Sequence, residues 1–349
     1  MDNQIRKIAF RFPVIQQILH IQTYGSGHIN DTYKIETNNG DFILQRINTQ
    51  VFKNVDGLTA NFRAVSDFMK KKISVSHEKM MFPELFPAEN GKYYFRDAHN
   101  QYWRLMSFIP DSRSFDKVEN SQMAYKGGKA YGWFIKMLSD FPVDRLVETI
   151  PRFHDIDFRL DNFYESLKKD MANRSKSAKK EINTARKYAP LMHRLKNLGQ
   201  EGKIPVRVTH NDTKINNVLF DSRMEPVAIV DLDTVMPGFV HYDFGDAIRT
   251  FTNAALEDEP DLNKVIFLKD YYDAFREGFL SQTQAILNET EIRNLPFSAL
   301  YMTYIIGLRF LTDYLNGDIY FKTAYDTHNL VRARNQFHLL DQMEKQLKY

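Results

Sequence analysis

Cysteine is absent from the 349 residues. That excludes disulfides, thiolate zinc sites and a cysteine nucleophile, though it does not fix the compartment. Strong net charge is absent too: a balance of +3 gives no field that would mark a nucleic-acid binder. No apolar run is long enough to span a membrane. The most apolar one, LYMTYIIGL from Leu300 to Leu308, stops at Arg309, far short of the roughly 20 residues a span requires. The N-terminal stretch carries charges throughout and lacks the apolar core of a signal peptide. No internal repeat or low-complexity segment is visible. The expectation is a soluble cytoplasmic protein with no membrane or nucleic-acid partner. Its oligomeric state stays open, with a monomer favoured.

The composition is that of an ordinary globular protein, and the length suits two lobes better than one core. Residues 4–18 read as an amphipathic helix. HIQTYG, the turn GSG, DTYKIET, the turn NNG and DFILQRI then alternate as a strand meander. Residues 55–72 read as a helix. KYYFRDA, HNQ and YWRLMSFI form another hairpin, and Pro110 closes the strand region. Beyond it, 120–141 and 162–199 read as long helices, the second a Lys- and Arg-rich solvated face. NNVLFD and PVAIVDLD are short strands within 216–233, and 244–349 is helical with loops. The expected fold class is α+β, with an antiparallel-sheet lobe over 1–109 and a larger, mainly helical lobe over 110–349.

The chemistry concentrates in VTHNDTKINNVLFD. His210, Asp212 and Asn217 have the H-x-D-x-x-x-x-N spacing of a kinase catalytic loop. Phosphoryl transfer to an alcohol needs a carboxylate to orient the hydroxyl and an oxygen ligand for Mg²⁺ in the same short loop. Asp212 and Asn217 supply these. The apolar run Val227 to Val230 then leads into Asp231 and Asp233. A carboxylate ending a buried strand suits Mg²⁺, which takes few protein oxygens. The literal Asp243-Phe244-Gly245 has no such strand before it. Asp243 is expected instead to cap a helix, its loss costing about 1 kcal/mol. Asp246 would sit in the first turn of that helix.

In the first lobe, Gly25, Ser26 and Gly27 form a glycine turn between strands, whose N–H groups can approach phosphates. One part of the kinase pattern is missing. FILQ places Gln45 where kinases carry a strand lysine, and helix 55–72 holds no glutamate to pair with one. Losing both partners leaves no orphaned buried charge. Lys214 is the expected substitute on the phosphates. Arg46 competes, but strand alternation points it to the opposite face.

At this point the chain resembles the N-acetylhexosamine 1-kinases, within the aminoglycoside phosphotransferase and choline-kinase-like branch of the protein-kinase-like fold. YGSGHIN, FILQRINT, RVTHNDTKINNVL, DLDTVMPG, DFGDAIR, ALEDEPDL, RFLTDYLNGDIYF and HNLVRARNQ carry the resemblance over nearly the whole chain. It implies a two-lobed kinase that takes ATP as co-substrate with Mg²⁺. The product would be the 1-phosphate of N-acetylglucosamine or N-acetylgalactosamine. Asp212 would be the general base, Asn217 and Asp231 the Mg²⁺ ligands, and Met106, Phe108 and Ile109 the adenine hinge. His28, Arg309 and Tyr320 would contact the sugar, with Asp212 and Asp231 nearby. Each of these three has a plainer role open to it. These plainer roles are an ion pair of Arg309 with Asp313 one helical turn on, a turn position for His28 and a core position for Tyr320. Alternatives are a same-fold kinase for choline, homoserine, methylthioribose or an aminoglycoside, and a nucleotide-binding pseudokinase.

Overall fold

The structure, a computed structural model, describes residues 2–25, 30–76 and 79–349. The helices are α1 (Asp2–Ala9), α2 (Val55–Ser76), α3 (Ser121–Met137), α4 (Ile156–Lys169), α5 (Lys179–Tyr188), α6 (Arg194–Gln200), α7 (Val240–Phe251), α8 (Lys269–Thr283), α9 (Glu289–Leu315) and α10 (His328–Gln346). The strands are β1 (His20–Thr23), β2 (Asp31–Thr37), β3 (Gly40–Ile47), β4 (Leu85–Phe86), β5 (Phe95–Arg96), β6 (Tyr102–Ser107), β7 (Arg207–Thr209), β8 (Val218–Phe220), β9 (Pro226–Ile229) and β10 (Met236–Gly238). An N-terminal antiparallel sheet and a larger helical C-terminal part give the expected α+β architecture.

Two compact units are present, each assembled from three runs of chain. The first takes Met1–Ser114, Asp140–Pro151 and Val218–Pro237, and the second Phe115–Ser139, Arg152–Asn217 and Gly238–Tyr349.

In the first unit the strands lie in the order β1-β2-β3-β6-β4, with β5 on β6. The pairings are all antiparallel. Period-two alternation decides the faces. Ile35, Leu44, Trp103 and Leu105 are buried in one core with Ile5, Ile8, Phe12 and Ile15, each contributing roughly 1.5–3 kcal/mol. Gln45 and Arg104, directly opposite each other on β3 and β6, therefore occupy the other face.

The helix expected over 4–18 ends at Ala9. Phe12 precedes Pro13, and a residue before proline is pushed out of helical geometry. Phe12, Ile15 and Ile18 are still buried, on a non-helical path. The short strands expected from NNVLFD and PVAIVDLD are β8 and β9, which pair antiparallel with Val218 opposite Ile229.

The second unit is built on long helices. α3 and α8 approach closely enough that a Cβ on Gly128 would lie 2.1 Å from the Phe275 carbonyl oxygen. The helix expected over 162–199 starts earlier and is broken. Asp155 caps α4 by accepting from the N–H groups of Asp157 and Phe158, and Asp170, at φ +38°, ends it. α9 is long and apolar enough to cross a membrane by composition alone, yet 78% of its most apolar window is buried inside the unit. That is the pattern of a core helix. A reciprocal Asn288–Glu291 box caps its start.

Candidate active site

In the second unit, β7 delivers the chain into His210, Asn211 and Asp212. His210 is fully buried, edge-on to Tyr131 and Phe134 at 5.9 and 5.6 Å. Asn211 takes a left-handed φ of +63°, which an asparagine tolerates better than most residues. Its side chain donates to Thr209 Oγ1 at 2.9 Å, which secures the turn. Asp212 and Asn217 are brought together as their spacing implied. Asn217 Nδ2 donates to the Asp212 carbonyl at 2.8 Å, with Asp212 Oδ2 at 3.3 Å. Tyr131 Oη donates to the Lys214 carbonyl at 2.7 Å.

The stretch Asp243-Phe244-Gly245 requires a correction. Asp243 is not a helix cap. Phe239 holds that position, without a side-chain cap, and Asp243 lies inside the first turn of α7. It is almost fully buried, and its two oxygens accept from the N–H groups of His210 (2.8 Å) and Asn211 (2.7 Å). Asp246 accepts from the N–H of Thr213 at 3.0 Å, and its other oxygen takes the buried Arg249 at 2.9 Å. The first two turns of α7 thus hold the loop after β7, and Asp246 lies in the second turn, not in the first as expected. Spacing alone missed this, because the contacts span some thirty residues of sequence. The only signal was the pair of acids on an apolar helix.

Burial alone would raise the Asp212 carboxyl. The Lys214 ammonium 2.9 Å away, with His210 and Arg249 behind it, outweighs burial and holds it below the usual carboxylate range. Asp212 in turn holds the Lys214 ammonium well above its ordinary value. An ionised carboxylate at low basicity suits a loose phosphoryl transfer. There the hydroxyl is oriented first and loses its proton late.

Replacing Lys214 with Ala should move the acid limb of the kcat/KM profile upward, since Asp212 then keeps only the burial penalty and weaker cations. An unmoved limb, with the ATP KM also unchanged, would remove Lys214 from the machinery.

Lining a cavity of about 460 Å³ in the same unit are Arg159, Asn162, Arg309, Asp313, Tyr320 and Phe321. Arg309 lies over the rings of Phe153 (4.9 Å) and Phe321 (5.4 Å). It does not pair with Asp313, whose oxygens accept from the N–H groups of Ile319, Tyr320 and Phe321 and from Asn329. Arg159 donates to the Phe153 carbonyl. Burial and the neighbouring Arg309 push it down to about 9. Among the described residues no acidic side chain pairs with either arginine. Tyr320 is half exposed at the rim rather than in the core. His154 Nε2 donates to the Asn211 carbonyl at 3.4 Å. Burial, then Arg309 and Arg159, hold its imidazole well below the usual range. His154 is therefore held neutral, with its Nε2–H on the loop that carries Asp212.

In the first unit, Gly25 is exposed at φ +75°. Ser26, Gly27 and His28 lie outside the described residues. Met106 pairs with Ile43 and Leu85, Phe108 meets Tyr24 edge-on at 5.7 Å, and Ile109 is buried. Arg46 is paired with Asp31, directly opposite it. The Asp-Leu-Asp stretch does contain a turn. Asp231 is exposed at φ +61°, and Leu232–Thr234 follow as a short helical turn. Such a φ on a non-glycine residue costs about 1–3 kcal/mol and persists where surroundings enforce it.

Asn217 and Asp231 offer hard oxygen donors. Among the described residues no group of three or more acids or histidines is placed to hold a metal ion. Asn217 lies in the second unit and Asp231 in the first, and each is the kind of oxygen donor taken by Mg²⁺, which needs few from a protein.

Comparison with known proteins bears on the fold and the family. Among solved structures, a microcompartment-associated aminopropanol kinase superposes with a TM-score of 0.67 at 14% identity, covering 99% of this chain and 98% of that one. Choline kinase from Cryptosporidium parvum Iowa II gives 0.64 at 15% identity, over 99% and 96%. A spectinomycin phosphotransferase in complex with ADP gives 0.59 at 12%, over 99% and 98%. At such identities the likeness is one of fold. The phosphotransferase enzyme family model matches residues 20–278, well over half of the chain, so the chain belongs to the phosphotransferase enzyme family, and family and fold support ATP-dependent phosphorylation of a small molecule.

Proposed function

We propose that this chain is a kinase that transfers the γ-phosphoryl group of ATP, with Mg²⁺, to the anomeric hydroxyl of an N-acetylhexosamine. The observation that carries the acceptor class is the Arg159–Arg309 cavity. The cavity's two acids are engaged elsewhere, Glu165 with Lys169 and Asp313 with backbone N–H groups. Among the described residues the two guanidinium groups therefore keep no acidic partner and, backed by aromatic rings, disfavour a cationic acceptor and suit hydroxyl and amide oxygens. Asp212 orients the hydroxyl and takes its proton. Asn217 and Asp231 hold Mg²⁺, which neutralises charge on the transferring phosphate. Lys214 assists on the phosphates, the loop from Gly25 covers them, and Met106 to Ile109 receive adenine. The nucleotide lobe is proposed to comprise 1–109 and the catalytic lobe 110–349.

A second reading is an amino-alcohol kinase, favoured by the structural likeness to the aminopropanol and choline kinases. An ADP-release assay with N-acetylglucosamine, N-acetylgalactosamine, choline and aminopropanol separates the two. Phosphorus NMR then shows whether phosphate lands on the anomeric oxygen. Arg309→Ala should raise the sugar KM by roughly tenfold or more, as loss of a charge-assisted contact does, with the ATP KM unchanged. Turnover on the amino alcohols alone would discard the sugar assignment.

A further inference from the structure

Arg104 belongs to no motif visible in the sequence, yet it is among the most buried side chains of the first unit. It forms an ion pair with Asp233, the two side chains being 1% and 2% exposed. Gln45 Oε1 accepts from Arg104 Nε at 3.0 Å and also from Nη2. Gln45 Nε2 donates onward to Thr32 Oγ1 at 2.9 Å. Phe62 of α2 lies 5.6 Å from the guanidinium. Asn30, just before β2, donates to Asp233 Oδ2 at 2.8 Å. One cation therefore ties β3, α2 and the turn that begins at Asp231.

A buried ion pair is a poor source of stability, since apolar residues of similar volume serve as well or better. What such a pair supplies is position. The turn it holds starts at a residue with a left-handed φ that its surroundings must enforce. We infer that Arg104 is a positioning residue: from β6 it takes over the bridging role of the absent strand lysine, and through Asp233 it fixes the Asp231 carboxylate for the metal. Gln45 occupies the lysine position because a second cation there would compete for one buried carboxylate. The inference rests on Asp231 being a metal ligand.

The test uses Mn²⁺ with ADP, following the loss of the free Mn²⁺ EPR signal on the full chain. Arg104→Met/Asp233→Leu removes both charges and orphans neither. It should stay folded, with a Tm lowered only by the partners that Gln45 and Asn30 lose, but weaken Mn²⁺ binding by roughly 10- to 100-fold, as loss of a ligand's supporting partner does. Its acceptor KM should hold while kcat falls. Wild-type Mn²⁺ affinity in that folded variant, with Asp231→Ala weakened, overturns the inference and leaves the metal-ligand assignment standing. Wild-type affinity in Asp231→Ala overturns the assignment and the inference with it. A charge swap decides the matter if the apolar pair fails to fold. Gln45→Lys should lower Tm, and Gln45→Lys/Arg104→Gln should restore both Tm and Mn²⁺ affinity. A swap that restores neither overturns the bridging role.

Discussion

Asp212→Asn should abolish turnover, kcat falling by about 10²–10⁴ as for other lost general bases, while ADP binding, read by calorimetry, stays at the wild-type level. The amide keeps the size of the carboxylate and can still accept from Asn217 Nδ2. It cannot take a proton, and it removes the charge that Lys214 faces at 2.9 Å. The loss should therefore fall on kcat rather than on nucleotide affinity. This variant also separates an enzyme from a nucleotide-binding pseudokinase. A kcat within about tenfold of the wild type in Asp212→Asn would take the general-base role away from this residue.

Asp243→Ala should do more than its position in a helix first turn implies. Two backbone N–H groups, of His210 and Asn211, lose their acceptors in a buried setting. Each orphaned donor costs about 1–3 kcal/mol. Because those donors belong to the catalytic loop, kcat should fall while the KM for ATP holds. A fully active Asp243→Ala enzyme would show that the loop keeps its shape unaided. The carboxyl also leaves a signature in pH. Burial, partly offset by the two N–H groups, pushes it up to about 7 from an ordinary 3.8. The native state thus binds a proton more tightly than the unfolded chain. The stabilisation is complete below about pH 4 and is lost as pH rises through about 7. In Asp243→Asn this dependence disappears, so Tm should drop less between pH 5 and pH 8 than in the wild type. An identical drop in both proteins would show that Asp243 ionises normally.

The two acids, Asp231 and Asp243, show what could and could not be read in advance. The place of Asp231 just beyond β9 was legible because its context is local: an apolar strand ends and a carboxylate follows; its hold on a metal belongs to the proposal. The role of Asp243 was not, since its partners come from β7 and the loop after it. The literal tripeptide drew attention to the right residue with the wrong function attached. Arg309 was legible as a cation on an apolar helix. That Asp313 is engaged by the backbone of 319–321, and so is no partner for it, required the folded loop. Arg159 carried no signal, being one of three basic residues on α4.

Local physics settled much of the molecule from the sequence alone. Alternation fixed the meander β1-β2-β3 and its faces, glycine and Asn/Asp turns set the hairpins, and the H-x-D-x-x-x-x-N spacing placed Asp212 beside Asn217. These features depend on neighbours within a few residues, which the chain order already specifies. Tertiary structure decided which distant groups share a buried carboxylate. It set Asp243 under the catalytic loop, Arg104 against Asp233, and Arg159 beside Arg309. Burial raises the cost of every unpaired charge or N–H, so only the packed chain determines which partner each buried polar group keeps.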